Sequence, residues 1–333
     1  MRSFLERLNP ELRPGLEYSS AFPPPTSLAE LPAFRMNVEA PAGAASVDGV
    51  TVRNCRAGGL SLRVFTPPGR GPHPAIYWLH GGGMIAGNVE LDTPYCAALA
   101  AGTSAVVVAV EYRLAPEHPY PAPLDDAEAG LAWLFASADA LSVDPARVAV
   151  AGSSAGGGLA AALTLRHRDA GGPDLAFAYL MYPMLDASHT SASAREFTAI
   201  PTWNRAHSEF AWGCYLGGAD LSPDAVPAMA QDLSGLPPTL IQTGELDLFR
   251  DEDISYAARL LQAGVPTELH VYPGAYHGFE LNCPESAVGR QSLRDRDSAL
   301  LRALHPSGPA AADPVGATSL PTLTNTPTEG SLL

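Results

Sequence analysis

From about residue 46 onward the chain repeats one pattern: a short apolar run, a turn, then a longer stretch with helical spacing. The runs are "SLRVFTP", "AIYWLHG", "AVVVAVEY", "RVAVAGS", "FAYLMYP", "PTLIQTG" and "TELHVYPG". Each has strand length and is bounded by turn residues, so each predicts a strand. Helices are predicted over about 91–101, 123–137, 155–169, 252–263 and 286–304. The punctuation agrees: "LLQAGVP" ends a helix at Gly264 with Pro266 beyond it, and "SVDP" turns the chain before a strand. Strands alternating with helices predict an α/β protein with a mostly parallel central sheet and helices on both faces. The run Ala105–Val110, apolar throughout, fits a strand covered on both sides. In such sheets the loops at the carboxyl ends of the strands form the binding crevice.

Three segments fall outside the alternation. Residues 1–45 are proline-rich ("AFPPPTSLAELPAF") and predict an irregular arm with one or two short helices. Residues 187–230 are a polar insertion dotted with aromatics, suited to fold over the crevice. Residues 306–333, with only Asp313 and Glu329 charged, predict a disordered tail. The main domain is then 46–305, and no internal repeat is visible.

Composition narrows the function classes. Asp+Glu is 35 against Lys+Arg 20, a net charge of −15 that repels phosphate backbones and argues against a nucleic-acid partner. Cys55, Cys96, Cys214 and Cys283 are scattered, with no CxxC and no HExxH, so no metal site is expected. That cysteine usage suits a reducing compartment. The first residues carry no apolar core of signal-peptide length, and Ala105–Val110 is far too short to cross a bilayer. These features predict a soluble, cytoplasmic protein.

The chemistry centres on "VAVAGSSAGGGLAAAL", Val148–Leu163. A strand that turns at once into a helix needs small residues on both arms of the bend, and Gly152 and Gly156 flank Ser154 as Gly-x-Ser-x-Gly. The serine at the apex is expected in a strained conformation, its hydroxyl above the sheet and at a helix N-terminus. Ser153 is off the apex, because moving the frame back would need glycine at Ala151 and Ala155. A phosphate-cradling loop is the weaker reading, since no Gly-Lys-Ser/Thr follows.

A serine hydroxyl needs a base, and the base needs an acid to hold its tautomer. His277, in the loop after the last predicted strand, is the candidate base; His270 lies inside that strand and reads as structural. His73, His118, His167, His189, His207 and His305 read as solvated, and His80 belongs to a glycine motif. "TGELDLFRDED" offers the acid: Asp247 first, by its place in the turn, with Glu245 as the alternative. Asp251 and Asp253 suit the opening of the next helix. "HGGG", His80–Gly83, follows a strand, and its glycines together with Ala155 offer N–H donors for an oxyanion. No cofactor is needed for such chemistry.

The chain resembles the bacterial hormone-sensitive-lipase-like (family IV) carboxylesterases of the α/β-hydrolase fold. The resemblance rests on "HGGG", "EYRLAPEHPYPAPLDD", "GSSAGG", "YP", "GELDLFRDE" and "YPGAYHGF", in that order over roughly residues 75–280. It implies hydrolysis of short- to medium-chain acyl esters, with Ser154, Asp247 and His277 in the triad positions and Gly82, Gly83 and Ala155 in the oxyanion positions. It also implies that residues 1–45 and 187–230 form a small helical cap over the acyl pocket, where Trp203, Phe210, Trp212 and Tyr215 either line the pocket or pack the cap. "YRLAPE" and Asp125/Asp126 look like structural supports. Many members carry Asp just before the nucleophile, where this chain has Ser153. The partner implied is a small-molecule ester; members often pair through an edge strand, which allows a homodimer. Two alternatives stay open: an amidase or peptidase using the same triad, and a non-catalytic ligand-binding protein like the plant gibberellin receptors, which lack the working histidine.

Overall fold

A computed structural model describes residues 3–37, 47 and 49–306. The tail expected over 306–333 thus lies almost wholly outside the described residues. Eight strands form one sheet: β1 (Thr51–Ala57), β2 (Leu60–Thr66), β3 (His73–Leu79), β4 (Val106–Glu111), β5 (Val143–Ser153), β6 (Phe177–Met181), β7 (Thr239–Gly244) and β8 (Thr267–Tyr272). Their order is β1-β2-β4-β3-β5-β6-β7-β8, with β2 antiparallel to both neighbours and the six strands from β4 to β8 parallel. The seven apolar runs are β2 to β8. The eighth strand, β1, escaped the pattern because it is an edge: "TVRNCRA" leaves side chains of both faces in solvent, so it shows no apolar period.

Helices among the described residues are α1 (Phe4–Arg7), α2 (Arg13–Ala21), α3 (Leu31–Asn37), α4 (Thr93–Thr103), α5 (Ala122–Ala136), α6 (Ala138–Leu141), α7 (Ala155–Asp169), α8 (Ala192–Glu196), α9 (Arg205–Leu216), α10 (Arg250–Gln262), α11 (Phe279–Asn282) and α12 (Ala287–Leu304). The five predicted helices are α4, α5, α7, α10 and α12, each within two residues at either end. The described residues of the arm hold three short α-helices and a 3-10 turn at Pro10–Leu12, where the sequence predicts one or two short helices. The insertion, polar and dotted with aromatics, carries the helices α8 and α9. Its α9 is fixed at both ends: Asn204 accepts the N–H groups of Ala206 and His207, and Gly217 ends the helix in the left-handed region.

Two cores sandwich the sheet, and the strands show the period of two directly. Ala75, Tyr77 and Leu79 of β3, with Val106, Val108 and Val110 of β4, face one core beside α5, α7 and α10. Ile76 and Trp78, with Val107 and Ala109, face the other beside α4 and α12. Burial on both faces explains why β4 is apolar at every position from Val106 to Val110, each buried valine contributing roughly 1.5–3 kcal/mol.

The parallel register decides where the site must lie. Leu79 pairs with Gly152, Gly152 with Leu180, and Gly244 with Tyr272. The segments that follow, His80–Gly83, Ser154, Glu245–Asp247 and Pro273–His277, therefore emerge at one end of the sheet. None of the helices among the described residues is long and apolar enough to cross a membrane.

Candidate active site

The bend after β5 is closed by the absence of side chains. A Cβ on Gly156 would lie 2.1 Å from the carbonyl oxygen of Leu79, and one on Gly152 would lie 2.3 Å from that of Gly156. Three consecutive glycines in a first helical turn cost roughly 1 kcal/mol each relative to alanine. Here space requires them: a Cβ on Gly158 would also strike the Met184 carbonyl, at 2.2 Å. Ser154, at the apex, takes φ 54° and ψ −117°, a conformation a serine rarely adopts. Backbone bonds hold it there, its N–H donating to Met181 and its carbonyl accepting from Gly158 and Met184.

The Ser154 hydroxyl lies 2.9 Å from His277 Nε2, and His277 Nδ1 lies 2.8 Å from Asp247 Oδ2. A carboxylate only accepts, so Nδ1 carries the ring proton and Nε2 is left to accept from Ser154. Asp247 is fully buried, and its other oxygen accepts the Phe249 N–H at 2.9 Å. The alternative acid, Glu245, faces Arg7 and Gly274 instead. Ser153 turns beneath the glycine loop, its hydroxyl 3.0 Å from where a Gly81 side chain would begin.

Gly82 is at φ +115°, and a Cβ there would meet the Ala86 carbonyl at 2.1 Å. The glycine turn is therefore a matter of backbone shape rather than flexibility. The N–H groups of Gly82, Gly83 and Ala155 donate to no acceptor among the described residues. Ala155 is the first residue of α7, where N–H groups have no partner within the helix.

Aromatic rings fix the His277 ring: Tyr182 at 4.4 Å between centroids, Phe249 edge-on at 5.4 Å, and Trp203 at 6.4 Å. Trp203, from the insertion, also reaches over Gly83, so it is a wall of the site. Tyr215 instead packs the insertion onto the main domain, its ring against Tyr120 and its carbonyl accepting the Tyr120 N–H.

His80 is buried and stacked flat on Tyr112, whose hydroxyl donates to the His80 carbonyl at 2.7 Å. Burial pushes its pKa down to about 4, so it stays neutral and holds the loop as a spacer. Asp126 accepts Arg113 through both carboxylate oxygens, and Asp125 accepts Arg166, the supporting roles expected of them.

The histidines correct one expectation. His189 and His207 are buried rather than solvated, the first 2.9 Å from Ser208 and the second accepting the Asn204 N–H, because the insertion has a packed interior of its own. His73 is likewise buried, within β3.

Two buried carboxyls went unnoticed in the sequence. Glu252 accepts the N–H groups of Leu185 and Asp186, pinning the loop after β6 to α10. Glu280 accepts the Tyr182 hydroxyl at 2.5 Å beneath His277, and burial pushes its pKa up to about 7. Asp253, expected merely to open a helix, is fully buried, and that burial drives its pKa well upward.

Against known proteins, the family model described as alpha/beta hydrolase fold matches residues 76–281. The chain is 41% identical over 257 residues to the carboxylesterase NlhH of Mycobacterium tuberculosis, covering 74% of this chain and 79% of that one. It is 33% identical over 228 residues to an ethyl acetate hydrolase of Pseudomonas putida, covering 66% and 71%. Among solved structures it is similar to a bacterial heroin esterase, with TM-score 0.84, 40% identity and coverage of 90% of this chain and 98% of that one.

Proposed function

This chain belongs to the hormone-sensitive-lipase-like branch of the α/β-hydrolase fold family, and from that premise we propose that it is a serine carboxylesterase acting on short- to medium-chain acyl esters. The observation that carries the reading is the unbroken hydrogen-bonded line from Ser154 through His277 to Asp247, beside three undonated N–H groups. The names of the relatives, a carboxylesterase and an ethyl acetate hydrolase among them, support the ester class.

In this reading His277 Nε2 takes the Ser154 proton as the oxygen attacks the ester carbonyl. The N–H groups of Gly82, Gly83 and Ala155 receive the oxyanion, each donor typically worth roughly 3–4 kcal/mol of barrier. Asp247 keeps Nδ1 protonated and stabilises the imidazolium. His277 then gives its proton to the departing alcohol. Water repeats the sequence on the acyl-enzyme, returning the acid and free Ser154. Neither step requires a metal or an organic cofactor.

The arm and the 187–230 insertion act as the cap, with Trp203 bounding the acyl pocket. A site in a reducing cytoplasm is supported by four free thiols, Cys55, Cys96, Cys214 and Cys283. The test is initial rates on p-nitrophenyl acetate, butyrate, octanoate and palmitate. Turnover should peak on the shorter chains, fall by roughly 10⁵–10⁶ in Ser154→Ala, and survive in Ser153→Ala. Wild-type inactivity on all four esters, or activity that survives Ser154→Ala, contradicts the reading.

A further inference from the structure

Arg7 carries the N-terminal arm to the loops that present His277 and Asp247. Arg7, the last residue of α1, donates its Nε and Nη2 to Glu245 Oε1 at 3.3 and 3.1 Å, and its Nη1 to Glu196 at the end of α8. The other Glu245 oxygen accepts the N–H of Gly274 at 2.8 Å, and the Gly274 carbonyl accepts the N–H of Asn9 at 3.0 Å. Glu245 stands two residues before Asp247, and Gly274 three before His277. One carboxylate thus spans the two loops that present the acid and the base, and the arm grips both.

The contacts around it belong to the same knot. Arg250 donates to the Glu245 carbonyl at 2.8 Å from α10. The guanidinium groups of Arg7 and Arg250 both lie on the Phe197 ring, at 5.9 and 5.5 Å, and Phe4 meets the same ring edge-on. Burial opposes ionisation of Glu245, but the Gly274 N–H and Arg7 outweigh it and hold its pKa below the usual range. Its charge is therefore present throughout the neutral range.

We propose that Arg7 and Glu245 are positioning residues: the arm, through this ion pair, sets the separation of the Asp247 and His277 loops. The proposal rests on the reading of Ser154, His277 and Asp247 as the reacting triad. His277 must hold hydrogen bonds on both sides of its ring at once, and a displacement of about 1 Å in such a group can cost about 100-fold in rate. The loops have independent ties: Glu245 N–H to the Tyr272 carbonyl and Leu246 N–H to that of Ala275. Removing the ion pair should therefore misplace His277 without unfolding the domain.

The test is steady-state kinetics on p-nitrophenyl butyrate for full-length wild type, Arg7→Ala, Arg7→Lys, Glu245→Gln and the Arg7→Ala/Glu245→Gln double variant. We expect kcat to fall about 10- to 100-fold in Arg7→Ala and Glu245→Gln, with KM within about twofold. The double variant should be no slower than the slower single one, and Arg7→Lys should recover part of the loss. With Asp247 held less closely, the acid limb of the kcat/KM profile should move to lower pH. Thermal midpoints close to wild type would separate misplacement from unfolding. Wild-type kcat in both single variants overturns the proposal, as do losses that multiply in the double variant or that appear only where the protein has unfolded. Ser154→Ala run alongside separates the two claims: if it retains turnover, the triad reading itself fails and the positioning claim fails with it.

Discussion

The two sides of the candidate site are built differently. On the sheet side, Ser154 and the glycine loop are held by backbone atoms packed so closely that a single Cβ would strike a carbonyl at 2.1–2.3 Å. On the side proposed as the cap, the arm and the insertion are held by ion pairs and aromatic contacts, several of them partly exposed. Arg35 of α3, for example, donates to the Ile85 and Ala115 carbonyls but also to Glu117, whose side chain is 54% exposed. Steric closure leaves one geometry, and a substitution there must move the backbone. Exposed ion pairs are screened and replaceable. The difference teaches that the nucleophile and the glycine loop are fixed by steric closure of the backbone, while the arm and the insertion are fastened to them by replaceable contacts.

That contrast breaks if substitutions on the two sides cost the same. The largest stability effect is expected for Gly156→Ala, whose Cβ would strike the carbonyl oxygens of Leu79 and His80 at 2.1 and 2.4 Å and force the end of β3 away from α7. A loss above about 4 kcal/mol, or failure to fold, should appear in urea unfolding. Next, Gly82→Ala should leave a folded protein whose kcat on p-nitrophenyl butyrate drops about 10²–10³, because the turn that aims the N–H groups must move.

Glu280 sharpens the picture of the sheet side by pH. Its pKa is about 7 in the folded protein against an ordinary 4.5, so the folded state holds the proton more tightly. Its stabilising contribution is complete below about pH 4.5 and is lost as pH rises through 7. Glu280→Gln, which still accepts from Tyr182, should match wild type at the acid end and exceed it at pH 8 by up to about 3 kcal/mol in thermal unfolding. The smallest effect belongs to the cap: Glu117→Gln should change stability by less than about 1 kcal/mol, and the change should vanish in 1 M salt.

Legibility in the sequence follows the same division. The Gly-x-Ser-x-Gly bend and the HGGG loop could be read because steric closure writes itself locally, as glycine at fixed spacing. Strands β2 to β8 could be read because burial writes itself as continuous apolar runs. Strand β1 could not, since its edge position leaves no period, though a pairing partner as clear as β2 was a usable signal. The place of Asp247 in the turn is a local signal, and its carboxylate lies 2.8 Å from His277, whereas the contacts of Glu245 leave none because its partner is Arg7, at the far end of the chain. Glu280 was equally hidden: nothing near "HGFELN" announces a tyrosine that donates to it from the end of β6. Contacts closed over such separations leave no local pattern. Helix α9 lies between these cases, for Asn204 and Gly217 are ordinary capping residues that mark its ends.

The most direct measurement is covalent labelling with diethyl p-nitrophenyl phosphate, followed by mass spectrometry of the peptide containing both serines. The account predicts release of one equivalent of p-nitrophenol and a diethylphosphoryl adduct on Ser154, retained in Ser153→Ala and absent from Ser154→Ala. An adduct on Ser153, or labelling that persists without Ser154, would contradict the assignment of the nucleophile and with it the proposed chemistry.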